Sequence, residues 1–86
     1  MPTISMFYGI LIRMFYDDHN PPHIHIIYDD LEASYNFNGE QIDGDKLPKK
    51  QAKLVEAWIE IHKEELAANW KLARDGEQMF KIEPLK

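Results

Sequence analysis

Asp17-Asp18-His19-Asn20-Pro21-Pro22-His23-Ile24-His25-Ile26-Ile27-Tyr28 joins two kinds of sequence at a double proline. After Pro22 the run is short, apolar and β-branched, and Asp29-Asp30 closes it, which is the pattern of a strand. Before Pro22 the run is polar. Proline removes two backbone donors and pushes the preceding residue into extended conformations, so Asn20-Pro21-Pro22 ends whatever element comes first. A strand from His23 to Tyr28 puts His23, His25 and Ile27 on one face and Ile24, Ile26 and Tyr28 on the other. The second set is the core face. Side chains two apart on a strand lie roughly 6.5–7 Å apart along it, so His23 and His25 look the same way. His19 and the acids stand just before a stiff turn that can fold them back toward that face.

On the N-terminal side, Thr3 to Phe7 and Ile10 to Tyr16 are rich in β-branched and aromatic residues, and Tyr8-Gly9 fits a two-residue hairpin turn. Arg13 is the one charge in this hairpin, and such an arginine usually has a carboxylate partner or lies at a site. On the C-terminal side, Glu32 to Phe37 reads as a fourth strand, Asn38-Gly39 as a turn, and Glu40–Ile42 as a short extension. Asp43-Gly44-Asp45 ends the sheet. Pro48 suits a first helical position. Leu54, Val55, Trp58, Ile59, His62, Leu66, Trp70 and Ala73 then keep a helical period as far as Arg74, with Gly76 as the cap residue. That span is long for so small a chain, so a bend or break is expected near His62–Glu64. Trp58 and Trp70 read as core, His62 as a hydrogen-bonded core or helix-break residue, and Asn69 as a side chain bonding across to the sheet. The expected class is α+β: an antiparallel sheet of about four strands in two hairpins, then one bent or two consecutive helices packed on one face. Residues 1–86 read as a single domain, with strands about 3–42, a helical part about 48–75 and an extended tail over 77–86.

The chain has 86 residues, 44% of them hydrophobic and 12% aromatic, enough for a real core but with modest stability at this size. It contains no cysteine, which excludes a disulfide framework and a thiolate metal site. No apolar run approaches the roughly 20 residues that span a bilayer, and the N-terminus does not read as a signal peptide. A cytoplasmic protein is expected. The net charge of −5 is uneven: residues 1–45 hold one base and eight acids (−7), and residues 46–86 hold nine bases and seven acids (+2). The acidic half carries three of the four histidines, the reverse of a general phosphate-binding surface. Lys46, Lys49, Lys50 and Lys53 form the one dense basic group. It reads as a solvated face or as a contact for an acidic partner or phosphate.

Three readings of His23 and His25 stand together. They can face solvent or a partner within the sheet. They can be acid/base groups of a nuclease-like site, with His19 beside them and Arg13 stabilising developing charge; if the chain is an enzyme, metal-independent RNA cleavage is the expected activity. They can be two ligands of a metal site with His19, or Asp17 or Asp18, as the third; zinc takes such nitrogen and oxygen ligands. There is no Gly-rich phosphate loop and no nucleophile elbow, and no cofactor is expected. The strand at residues 31–37 could pair across a homodimer if it lies at a sheet edge.

The opening Met1-Pro2-Thr3-Ile4, the hairpin with Gly9, the Pro21-Pro22-His23-Ile24-His25 strand and the late Glu64-Glu65-Leu66…Trp70 helix occur here in one order. That combination resembles the small bacterial domain-of-unknown-function 4160 family over nearly the whole chain. The resemblance implies a gene commonly beside a member of the domain-of-unknown-function 2442 family. The pair looks like a toxin–antitoxin module with the present family in the toxin role, and RNA is a possible target. Pro21, Pro22, His23 and His25 carry over as motif residues, the prolines in a structural role. Asp17, Asp18 and Asn20 fall outside that motif.

Overall fold

The computed structural model describes residues 2–86, so Met1 of the opening signature lies outside the described residues. Five strands come first: β1 (Thr3–Phe7), β2 (Ile10–Arg13), β3 (His23–Tyr28), β4 (Leu31–Asn36) and β5 (Gln41–Gly44). Two helices follow, α1 (Lys49–Ile61) and α2 (Lys63–Arg74). The sheet is an antiparallel meander in the order β1-β2-β3-β4-β5. The class is α+β, with one strand more than the sequence suggested. All four residues of β5 are exposed, so no alternation of apolar and polar residues marks it. Backbone pairing with β4 makes it a strand, and the Gln41 amide helps by donating to the carbonyls of Asp43 and Asp45.

Turn chemistry follows the residues. Tyr8 and Gly9 have φ of 50° and 77°. Positive values at both central positions belong to the turn whose twist matches a two-residue hairpin. β2 is shorter than its apolar run: it stops at Arg13, and Met14 buries its side chain as its amide reaches the Pro2 carbonyl. β4 is an inner strand between β3 and β5, not an edge, so it cannot pair across a dimer. The edges are β1 and β5. The tail runs along β1, with the Ile82 amide donating to the Ile4 carbonyl.

The helical stretch breaks where expected. His62 has φ −110° and ψ 23°, closes α1 and opens α2, and its Nδ1 pairs with Glu65. Pro48 sits one position earlier than expected, as the N-cap residue of α1. α2 ends in a Schellman arrangement: Glu77 N–H donates to Leu72 O and Gly76 N–H to Ala73 O, with Gly76 at φ 72°.

One face of the sheet meets the helices. Ile4, Ile10, Ile12, Ile24, Ile26, Ala33 and Tyr35 form one cluster with Val55, Trp58, Ile59, Leu66, Trp70 and Ala73. Asn69, with no exposed surface, does not bond to the sheet. It clamps the tail, donating to Phe80 O at 2.8 Å and accepting from Phe80 N at 3.0 Å. The opposite alternation of side chains, Leu11, Arg13, His25, Ile27 and Ser34, is only half buried and forms an open sheet face. No described helix is long and apolar enough to cross a membrane.

Candidate functional site

The loop between β2 and β3 brings the site together. Asp17 turns the chain with φ 53°, and its amide donates to Ala73 O at the end of α2. Arg74 Nη1 reaches Asn20 Oδ1 at 3.4 Å. The Asn20–Pro21 peptide bond is cis. Held to α2 in this way, the loop folds back over the start of β3 and turns the Asp18 carboxylate inward, leaving 13% of its side chain exposed.

Three imidazoles converge on that carboxylate. His23 Nε2 lies 3.0 Å from Asp18 Oδ2 and His25 Nε2 lies 3.1 Å from the same oxygen. Asp18 Oδ1 accepts the His19 amide at 2.8 Å, and His19 Nδ1 stands 2.9 Å from it. His23 is 2% exposed, with its ring against Trp70 at 5.5 Å. His25 is stacked under Phe15, ring centroids 4.1 Å apart. The His23 and His25 rings do share one side, 4.9 Å apart.

The far nitrogens are also engaged. His23 Nδ1 lies 2.6 Å from the Pro21 carbonyl oxygen. A carbonyl only accepts, so the hydrogen sits on Nδ1 and the tautomer is fixed. His25 Nδ1 lies 3.5 Å from Ser34 Oγ. Burial alone would raise the Asp18 carboxyl. The hydrogen bond from His25, the His19 amide and the charges of His23 and His25 together outweigh it and hold the group below the ordinary carboxylate value.

Arg13 is the direct cross-strand partner of His25. It forms no ion pair among the described residues, contrary to the usual expectation, and its Nε is buried without a hydrogen-bond partner. Such a donor calls for an explanation. His19 is 79% exposed and is the accessible member of the cluster. The atoms placed to share one cation belong to Asp18, His23 and His25, all within 4.8 Å of one another. His19 lies outside that set and Asp17 does not enter it. The lysine group stays apart. His23 pairs with Asn36 at the end of β4, whereas Lys46 lies two residues beyond Gly44, which pairs with Ala33 in the middle of that strand. Lys46 and Lys49 line a separate cleft that also holds Glu56.

Asp18 is the hub that the motif pattern passes over. Its separation from His23 carries no periodicity; the sequence offers it only as one of three candidates, with Asp17 and His19, for a third ligand folded back by the double proline. Phe15 and Ser34, which frame His25, gave no signal at all.

A family model described as Domain of unknown function (DUF4160) matches residues 9–71. The chain belongs to this family. The match takes in the turn glycine, the loop with Asp18, both motif histidines and Trp70, so the whole cluster lies within the family's own segment. No curated protein and no solved structure gave a match.

Proposed function

We propose that this chain is the toxin-like member of a bacterial two-protein module working in the cytoplasm. Its working surface is the histidine corner of the open sheet face, its target is RNA, and a protein of the domain-of-unknown-function 2442 family covers that corner. The supporting observation is Arg13: the one base among residues 1–45 stands across from His25 with a buried, unpartnered Nε. A guanidinium without a carboxylate partner, next to a histidine cluster whose His19 is 79% exposed, suits a phosphodiester, whose charge grows as the phosphorus is attacked. The roles divide by exposure. His23 and His25 spend their ring nitrogens on Asp18, Pro21 and Ser34 and so hold the corner in shape. His19 is the group free to exchange a proton with a substrate, and Arg13 the group to bind its phosphate.

The experiment is a cleavage assay on structured and single-stranded RNA with the purified chain and with Arg13→Ala and His19→Ala, each checked for folding. The reading expects cleavage by the native chain that falls at least about a hundredfold in either variant. RNA left intact by the native chain, or cut equally by both variants, removes the catalytic part.

A second reading, a non-catalytic interaction module, is favoured by one observation. Met6, Leu11 and Ile27 lie side by side across three strands of the open face, and Met6 is 63% exposed. This reading expects a stable complex with the neighbouring gene product that Met6→Lys weakens, while Arg13→Ala and His19→Ala change affinity alone.

A further inference from the structure

We propose that Asp18 Oδ2, His23 Nε2 and His25 Nε2 form a binding site for one divalent transition-metal ion of the zinc class. The inference stands on geometry alone and holds whether or not the chain acts on RNA.

The first argument is direction. Both Nε2 atoms aim at one oxygen, at 3.0 and 3.1 Å, while the other carboxylate oxygen is occupied by the His19 amide. Zinc bonds of about 2.0–2.2 Å at tetrahedral angles place neighbouring ligand atoms roughly 3.4 Å apart. The two distances to Asp18 Oδ2 therefore have to lengthen by only a few tenths of an ångström to admit the ion, and all three donor atoms already lie within 4.8 Å of one another.

The second argument is the proton on His23. Its hydrogen sits on Nδ1, fixed by the Pro21 carbonyl at 2.6 Å. The Nε2 lone pair then faces a carboxylate oxygen, two electron-rich atoms in contact. A cation between them, either a second proton or a metal, removes that repulsion. An imidazole whose far nitrogen donates to a backbone carbonyl is also how metal-bound histidines are usually oriented. His25 has Ser34 in the matching place, 3.5 Å from its Nδ1.

The third argument is the donor set and its walls. Two imidazoles and one carboxylate suit zinc, cobalt and nickel better than the hard, oxygen-seeking magnesium and calcium. Phe15 on His25 and Trp70 on His23 enclose the site in aromatic surface, which strengthens the attraction between ion and ligands. Three protein donors leave a fourth position for water or a substrate atom.

The test uses the full chain stripped of metal with EDTA and titrated calorimetrically with Zn²⁺, and with Co²⁺ followed by visible absorption. The expectation is one ion per chain, a cobalt spectrum of tetrahedral type that Zn²⁺ abolishes, and binding weakened at least about tenfold in Asp18→Asn and in His25→Ala. His62→Ala, at the helix break, keeps full binding. No heat and no cobalt spectrum with folded chain overturns the proposal. So does binding that survives Asp18→Asn and His25→Ala but is lost in His19→Ala or His62→Ala. A readout on the native chain covers variants that fail to fold: Zn²⁺ should shift the imidazole nitrogen resonances of His23 and His25 but not of His62. Shifts confined to His19 or His62 overturn the site.

Discussion

Asp18→Ala tests the corner where it is most exactingly built. The substitution removes the acceptor of His23 and His25, at 3.0 and 3.1 Å, and of the His19 amide at 2.8 Å. The contacts to His19 lie at the surface and contribute little. The other two sit where the histidines are 2% and 14% exposed. The hydrogen bond from His25 to the carboxylate contributes about 1.5–3 kcal/mol, His23 adds to it only when its Nε2 carries a second proton, and relief of carboxylate desolvation returns part of the sum. The expected net loss is about 1–3 kcal/mol, against roughly 4–13 kcal/mol in total for a chain of this length. At about 4–8 °C per kcal/mol, Tm should fall by roughly 5–20 °C. The assay is thermal and urea unfolding followed by circular dichroism at pH 7 with EDTA present, beside Asp17→Ala as a control in the same loop. The pH dependence has a definite sign. The folded-state carboxyl is held below its ordinary value, so its stabilisation is fully present above about pH 4 and is lost as pH falls through the folded value. The gap between native chain and variant should therefore shrink below pH 4. A Tm within 2 °C of the native chain at pH 7, or a gap that widens in acid, would refute the reasoning.

Two other positions carry predictions of their own. Gly44 has φ 92°, and a Cβ there would lie 2.4 Å from Glu32 O and 2.7 Å from Ala33 Cα; Gly44→Ala should cost roughly 2–5 kcal/mol in urea unfolding, and a loss under 0.5 kcal/mol would contradict the close approach. Asn69→Ala leaves the Phe80 amide and carbonyl unpartnered, so about 2–4 kcal/mol should be lost, with faster hydrogen exchange at the Phe80 amide; an unchanged exchange rate would show that the tail is held by other contacts.

The fold was largely legible because its signals are local. The double proline, Tyr8-Gly9 and Asn38-Gly39 mark strand ends by backbone chemistry, and the spacing of Val55, Trp58, Ile59, Leu66 and Trp70 marks the helical stripe. β5 was faint because Gln41–Gly44 buries nothing. The site was half legible. Two histidines on one face follow from strand period, and Arg13 beside them from its being the lone charge in the hairpin. Asp18 follows from neither: the end of α2 places it, through the Asp17 amide on Ala73 and Arg74 on Asn20. A contact between residues so far apart in sequence leaves no periodic trace. Burial also changes which substitutions inform on function. His23 is as enclosed as the core, so its replacement tests folding first, whereas Arg13 and His19 test the surface.

Growth of a bacterial host after induction of this chain, beside folded Arg13→Ala and His19→Ala and a Lys46→Ala/Lys49→Ala control, bears most directly on the histidine corner as the working surface. The account predicts arrest by the native chain and by the lysine control, and relief in Arg13→Ala and His19→Ala. Equal arrest by all four, or relief only when the lysines are removed, would contradict it.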